Sequence, residues 1–350
     1  MALTINHQTN DISATSGSMT IDGSAVGGGG ADLYAAETTG STDPTASGTL
    51  SIAIGSNAVA SGASTVAIAK NTDATGNSSI AVGSGAQATA NYTVAIGASP
   101  TASVANAVAI GYLANASQQG AIAFGRSRAS GTDSFAAAIT SNLSSYGAIG
   151  TYSVAMGRNA KASGYSATAI GYYTQATGSD SFAVGYRSES TANDAYSFGR
   201  EAKSATRGKL AYASGQFAAA GDAQGGQYIL RADVTDTTVT TLTTNNSTAA
   251  ATNQIVAATD TAVTFDGIVT ALQNGAQSWS SWKIQGILVN DNGSMYLSGS
   301  SVTAITNSSG YTLALSADST NKALSITFTG YSTYNIRVVA NVRTAEVTYA

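Results

Sequence analysis

Residues Gly157–Gly185 read GRNAKASGYSATAIGYYTQATGSDSFAVG, and the phrase is said twice. Met156-Gly157, Ile170-Gly171 and Val184-Gly185 stand fourteen residues apart, with Ala, Gly, Ser and Thr filling the space between. Working outward, the motif S/T-h-A-h-G (h apolar) ends at Gly55, Ala69, Gly83, Gly97, Gly111 and Gly125, a constant step of fourteen. A second run ends at Gly157, Gly171, Gly185, Gly199 and Ala213. Between the runs, Ser134–Ala138 (SFAAA) arrives one residue early, and Gly125 to Gly157 spans 32 residues, two periods plus four. An insertion is therefore expected near Thr140–Gly150, as a bulging loop or as a break between two stacks.

Fourteen residues are too few for a solenoid unit that contains a helix. Within the unit, Ser153–Gly157 (SVAMG) and Asn159–Ser163 (NAKAS) alternate side-chain types over five residues. That period of two is the mark of short strands. Gly, Ser, Asn and Asp at the junctions supply turns, because Gly reaches positive φ freely and Asx side chains bond nearby backbone. Two short strands and two turns make one coil of a β-roll. Coils stacked about 4.8 Å apart give a rod about 55–60 Å long for a dozen coils. Alanines inside each coil let the two sheets lie close, leaving Ile, Val, Phe and Met to bury outward or between coils.

Composition agrees with a thin-cored, repetitive chain. The 350 residues include 38 Gly and only 2 Pro, which excludes collagen and Pro-rich linkers. Charged residues are 10%, against about 25% in an average globular chain. The apolar 43% is mostly alanine. A chain with so thin a core completes it by oligomerising. There is no cysteine, so disulfides and thiolate chemistry are excluded. The opening MALTINHQTNDISATSG has neither a basic nor an apolar signal region, and no run approaches eighteen apolar residues. Export and membrane insertion are not expected. The formal charge of −4 gives no nucleic-acid footprint.

The phrases SIAIGSNAVASGAS, TVAIGASPTA and SVAMGRNAKASGYS resemble the repeat of the trimeric-autotransporter (YadA-like) head, over roughly Ser51 to Gly215. The resemblance implies a left-handed parallel β-roll, with three chains side by side around a threefold axis. It departs from the autotransporter pattern in showing no export signal and no heptad stalk.

The flanks read differently. Residues 1–50 are Gly/Ser/Thr-rich, with GGGG at Gly27–Gly30, and suggest an attachment arm carrying one or two short strands. Its opening is similar to the starts of tailed-phage structural proteins. The roll is read over 51–215 and a neck over 216–236. Charges concentrate at the end of the roll, from Arg158 to Lys209, as interchain ion pairs at the neck or as a solvated rim. From Gln227 onward, seven β-rich segments separated by turns such as NDNGS and NSSG suggest a C-terminal β-sandwich, placed at 237–350. Both tryptophans, Trp279 and Trp282, fall within it. The ending resembles the C-terminal module of phage fibre-like proteins. The expected fold is thus all-β: a parallel β-roll followed by a β-sandwich, assembled as a homotrimer.

Reactive chemistry is sparse. The only histidine is His7, and nothing in the sequence partners it for a metal or for general-base work. Asp133, Asp180 and Asp194 recur at coil turns, which explains them before a glycosidase pair does. The glycines form no phosphate-binding fingerprint, and Asn290–Gly293 is a hairpin turn first. No catalytic, cofactor-binding or metal-ligating residue is assigned. One surface feature remains. The residue after each phrase end is Ser56, Lys70, Ser84, Ala98, Tyr112 and Arg126, then Arg158, Tyr172, Tyr186 and Arg200. Tyr and Arg are enriched at binding hot spots, and Tyr stacks on sugars and proteins. Tyr112, Tyr172, Tyr186 and Arg187 are therefore the candidate receptor-facing residues, with interchain packing as the competing explanation. The resemblances imply a non-enzymatic, trimeric virion fibre protein of a tailed phage. Its partners would be itself, another virion protein held by the arm, and a host-surface glycan or protein. A tail fibre is the first expectation, a capsid-surface fibre or decoration protein the second, and a bacterial adhesin the third.

Overall fold

The computed structural model describes residues 42–349, apart from 139, 141–144, 276–277, 308–309 and 332–333, and the backbone of four short strands before residue 27. Those four form two antiparallel pairs, Leu3–Asn6 with Asp11–Ala14 and Met19–Ile21 with Ser24–Val26. Most of the arm read over 1–50 lies outside the described residues, as does His7.

The fourteen-residue unit folds as one coil of a parallel roll. In the coil around Ala81, Ile80–Val82 pairs in parallel with Val66–Ile68 on one side and Val94–Ile96 on the other. The second strand of the coil, Gln87–Ala88, does the same with Asp73–Ala74 and Thr101–Ala102. The narrower of the two resulting sheets has 12 strands, one per coil. In the roll, the middle residue of each three-residue strand and the last of each two-residue strand point inward, and both are alanine up to Ala176, with Ser190 and Ser204 taking the latter place in the last two coils. Ala53, Ala60, Ala67, Ala74, Ala81 and Ala88 are at most 2% exposed, and the column continues to Ala183. So small a side chain buries little area, so the stability of a coil leans on its backbone ladder to both neighbours.

Each coil is two half-coils of seven residues. A residue in left-handed conformation closes each half: Leu50, Asn57, Ser64, Asn71 and Ser78 have φ between 54° and 58°, and the spacing of seven persists along the roll. Asn, Ser and Asp hold many of these places, as turn chemistry favours. Tyr92, Leu113, Tyr152, Tyr173 and Arg187 hold others, at φ of 53° to 61°, an uncommon conformation for a side chain beyond Cβ. The phrase-ending glycine has a separate reason. At Gly171 φ is +126°, and an added Cβ would lie 2.0 Å from the carbonyl oxygen of Gly185 in the next coil.

The roll runs unbroken across the irregularity between the two runs, whose residues 139 and 141–144 lie outside the described residues. Phe135–Ala137 pairs with both Ile122–Phe124 and Val154–Met156, and Ala129 pairs with Ala148. The short coil before it omits one turn residue. Gly125 takes the left-handed place itself, at φ +70° instead of the +127° of Gly111.

Beyond the last coil the wider sheet does not end. Leu210–Ser214 pairs antiparallel with Ala223–Val234, in the register Leu210↔Gln227 and Tyr212↔Gly225. The path continues through Ile336–Thr348, Thr261–Gln273, Trp279–Asp291 and Ser294–Asn307. The same sheet therefore changes from parallel to antiparallel at one strand boundary. A smaller layer, built on Ala323–Thr329 with Thr240–Thr241, Ile255–Val256 and Thr312–Asp318, covers its inner face. Between the layers lie Leu230, Val263, Phe265, Ile284 and Leu288 from the large sheet, with Leu242, Ile255, Leu324, Ile326 and Phe328 from the small one. Trp282 meets Phe328 edge-on at 6.0 Å. Trp279 sits outside this core, 53% exposed. All seven β-rich segments expected after Gln227 are strands. The stretch expected as a neck, 216–236, includes the twelve-residue strand Ala223–Val234, with Tyr228 and Leu230 buried in the terminal core.

Candidate functional site

In the last four coils the wider strand lengthens from three residues to five, Thr168–Tyr172, Phe182–Tyr186, Tyr196–Arg200 and Leu210–Ser214. The extension draws the phrase-ending glycine and the residue after it into the sheet. Gly171, Gly185 and Gly199 align, and so do Tyr172, Tyr186 and Arg200. The side chains one step past the glycine are thereby stacked at the coil repeat. The rings of Tyr172 and Tyr186 lie 5.0 Å apart and 11° from parallel. The Arg158 guanidinium lies 5.5 Å from the Tyr172 ring, and that of Arg200 lies 4.9 Å from the Tyr186 ring. The result is a column, Arg158–Tyr172–Tyr186–Arg200, in which each ring has a neighbour one coil before it and another one coil after it. Arg187 also approaches Tyr186, at 5.9 Å. Tyr173 packs edge-on against Tyr172 at 4.7 Å and Tyr146 edge-on against Tyr173 at 5.9 Å, bracing the column from the side.

Of the four residues singled out from the sequence, three belong to this cluster: Tyr172 is half-buried, while Tyr186 and Arg187 are exposed. Tyr112 is 59% exposed and stands apart from the other three in the chain, its ring 5.9 Å from the Arg126 guanidinium. Tyrosine faces free to stack on a sugar are not what the register provides at Tyr172 and Tyr186, since those faces are turned to each other and to Arg158 and Arg200. Arg158 and Arg200, which the fourteen-residue step places in the same ladder, complete the column although they were not among the four receptor-facing candidates.

The two corners of the roll differ in charge. The corner after each wider strand carries Lys70, Arg126, Arg158, Arg187 and Arg200, all exposed. Among the described residues its carboxylate is Glu201, buried and 3.6 Å from Arg200. The corner before each wider strand carries Asp133, Asp180 and Asp194, each in left-handed conformation. Asp194 is paired with Arg207 at 2.8 Å. The backbone N–H groups of Asp133, Asp180 and Asp194 donate to carbonyls of the preceding coil, at 2.8 to 2.9 Å, as turn residues do. Arg200, Arg207 and Lys203, the last with Glu189 at 3.5 Å, thus find acidic partners within one chain.

A second polar cluster closes the roll. Lys209 occupies the buried place that Ser, Thr or Ala fills in earlier coils, and its ammonium meets Glu346 of the last strand. Gln224 and Thr344 donate to the same carboxylate, at 2.8 and 2.7 Å. Burial works to raise the Glu346 carboxyl, but the Lys209 charge and these donors outweigh it and hold it below the usual range. Burial, reinforced by the Glu346 charge, pushes the neighbouring Tyr228 phenol well up. Desolvation is the largest single effect on Asp222 and works to raise it, but the backbone N–H groups of Ala219, Ala218 and Phe217 together outweigh it and keep it ionised to lower pH than usual. No group of three or more potential metal ligands occurs among the described residues.

The YadA head domain repeat matches this chain at residues 46–68, 74–99, 105–127, 148–174 and 162–188. The matched segments, within residues 46–188 of the roll, are therefore YadA-type head repeats. No curated protein matches the chain. Among solved structures, a tailspike protein gp49 from Acinetobacter baumannii bacteriophage Fri1, a capsular polysaccharide depolymerase, is similar over 77% of this chain at 9% identity, with a TM-score of 0.22. The alignment covers 61% of the tailspike, less than two thirds of its length. A likeness so slight carries no argument about activity.

Proposed function

We propose that this chain is a homotrimeric virion fibre protein of a tailed bacteriophage, a rigid spacer that also presents a host-binding surface, with the tail as its site. The observation that carries the assembly is the outer face of the wider sheet. Ile52, Ile80, Ile96, Phe124, Met156, Phe198 and Tyr212 are each 37% to 58% exposed there, spread over seven of its twelve roll strands. A soluble chain does not leave so long an apolar row in water, and a neighbouring copy of the same rod matches it in length and period. Three is the number that the head-repeat resemblance implies. Trimerisation multiplies weak surface contacts through effective concentration. The N-terminal arm would hold another virion protein. The role needs no catalysis, in keeping with Asp133, Asp180 and Asp194 serving as turn residues.

Sedimentation equilibrium of the full chain at micromolar concentration is expected to give three times the chain mass, falling to one chain mass for Ile96→Lys/Met156→Lys. A wild-type monomer would overturn the assembly. Gold-labelled antibody on purified particles is expected to mark tails. Label on the capsid would make the protein a head fibre or decoration protein, and label on a bacterial envelope would make it an adhesin.

A further inference from the structure

The column at the basic corner has a chemistry more specific than a generic sticky surface. The faces of Tyr172 and Tyr186 are taken up within the column, so a partner meets ring edges, phenol hydroxyls and guanidinium N–H groups. These repeat along the roll axis at the coil spacing, as the 5.5, 5.0 and 4.9 Å separations record. They form a row of hydrogen-bond donors, with the Arg158 charge at one end, Arg187 beside it, and at the other end Arg200, whose charge is shared with Glu201 at 3.6 Å. Leaving ion-paired groups aside on both corners, the opposite corner has two carboxylates, Asp133 and Asp180, against four cations here, Lys70, Arg126, Arg158 and Arg187. A neighbouring copy that turned its acidic corner to this one would leave the basic corner in excess.

We infer that the column Arg158–Tyr172–Tyr186–Arg200, with Arg187, binds a linear acidic polysaccharide lying parallel to the roll axis. The row is one residue wide and about one sugar ring per step. Its charges sit in line, which suits a single chain carrying an anion every few sugars. A nucleic-acid duplex presents a denser, two-dimensional array of charge and is disfavoured by the net −4 of the protein. The guanidiniums of Arg158 and Arg200 lie against the tyrosine rings, so they are placed before the ligand arrives and lose less freedom on binding. The inference rests on the proposed host-binding role and names the class of molecule bound.

The test is isothermal titration of the full chain with three probes: a polygalacturonate oligomer (carboxylate), a poly(glycerol phosphate) chain (phosphate) and methyl-esterified polygalacturonate (neutral). At least one anionic probe is expected to bind, more weakly as salt rises, and the neutral ester is not. Which anionic probe is tighter tells carboxylate from phosphate. Arg158→Gln/Arg200→Gln is expected to weaken binding about tenfold or more, since hydrogen bonds to charged groups are the strong ones. Tyr172→Phe/Tyr186→Phe keeps the stack, and is expected to weaken binding by a smaller factor with an unchanged melting temperature. The inference is overturned by equal binding of the neutral ester, by no binding of either anionic probe, or by arginine and tyrosine variants that bind as wild type. It is overturned as well if a DNA oligonucleotide competes on equal terms, or if the arginine variant loses its oligomeric state in place of its ligand. Sedimentation and particle labelling do not involve the column, so the fibre role stands or falls separately.

Discussion

The Lys209 ammonium lies 2.5 Å from the Glu346 carboxylate, joining the last coil of the roll to the last strand of the chain across 137 positions, with both side chains less than a tenth exposed. The alanine column of the roll would otherwise open at this end. The ion pair, with Gln224 and Thr344 around it, closes that end with a polar lid whose bonding groups are largely satisfied. Core places on the way to it turn polar in step. The single Ser190 hydroxyl proton lies within reach of both the Phe182 carbonyl and Ser197 Oγ, each at 2.8 Å, and Ser204 donates to the carbonyl of Lys209.

Removing one partner should therefore cost more than removing both. Glu346→Gln leaves the Lys209 charge buried and is expected to lower the unfolding free energy by about 3–5 kcal/mol. Lys209→Met/Glu346→Leu is expected to recover most of that loss. Urea unfolding followed by circular dichroism gives both values. A double variant as unstable as the single one would show that the apolar pair cannot fill the site.

Acid should loosen the same region. The Glu346, Asp222 and Asp318 carboxyls are all held below their usual range in the folded chain. Below the ordinary values of about 4 the unfolded chain binds protons that the folded chain does not, so stability falls with pH in that window. It is present in full above the unfolded values and lost through the folded ones. Melting temperatures are expected to be flat from pH 7 to about 5 and to drop below about pH 4. Glu346→Gln should blunt that drop, and a slope unaffected by it would assign the effect to the other two carboxyls.

Substitution at the phrase-ending glycine should report the closeness of the coils. Gly171→Ala puts a Cβ against the Gly185 carbonyl at a φ that alanine rarely adopts, and is expected to cost about 1–3 kcal/mol. Gly55→Ala should cost less. There the nearest atom to the new Cβ is 2.8 Å away, and the aligned residue of the next coil, Ala69, is already an alanine at φ 107°. Thermal melts of the two variants are expected to rank in that order.

The alanine column sets an upper limit on side-chain size. Ala169 is fully buried, and its strand neighbours Ala155 and Ala183 point into the same space. Ala169→Leu is expected to destabilise by about 1–3 kcal/mol or to abolish folding, whereas Ala169→Ser should be nearly neutral. Serine already fills the equivalent place at Ser197, where its hydroxyl donates to the Glu189 carbonyl at 2.7 Å. Equal melting of the leucine variant and wild type would contradict a tightly filled core.

The roll was legible because two residue types can be read directly as geometry. Glycine at a fixed step means close backbone approach, as at Gly171, and alanine between apolar residues means a thin interior, as at Ala169. The seven terminal strands were legible from alternation and turn residues. Pairing across long separations was not: nothing near Lys209 points to Glu346, and nothing near Leu210 shows that its sheet continues into Gln227. Nor does turn chemistry suggest left-handed conformations at Leu113, Tyr173 or Arg187. Those residues accept an uncommon backbone because coils on both sides impose it. The column was half legible. Its step lay in the sequence, but a period alone does not say that Tyr172 and Tyr186 would spend their faces on each other.

The continuity of the wider sheet also has a mechanical side. Its hydrogen bonds run along the rod, so a pull on the two ends of the chain loads them one coil at a time. Each coil that opens gives up about 4.8 Å of rod and releases fourteen residues, about 45–50 Å of extended chain. A single chain under tension would therefore lengthen in equal steps of about 40–45 Å, while a sideways load meets the whole ladder at once. The rod would be stiff to bending yet yield gradually to tension.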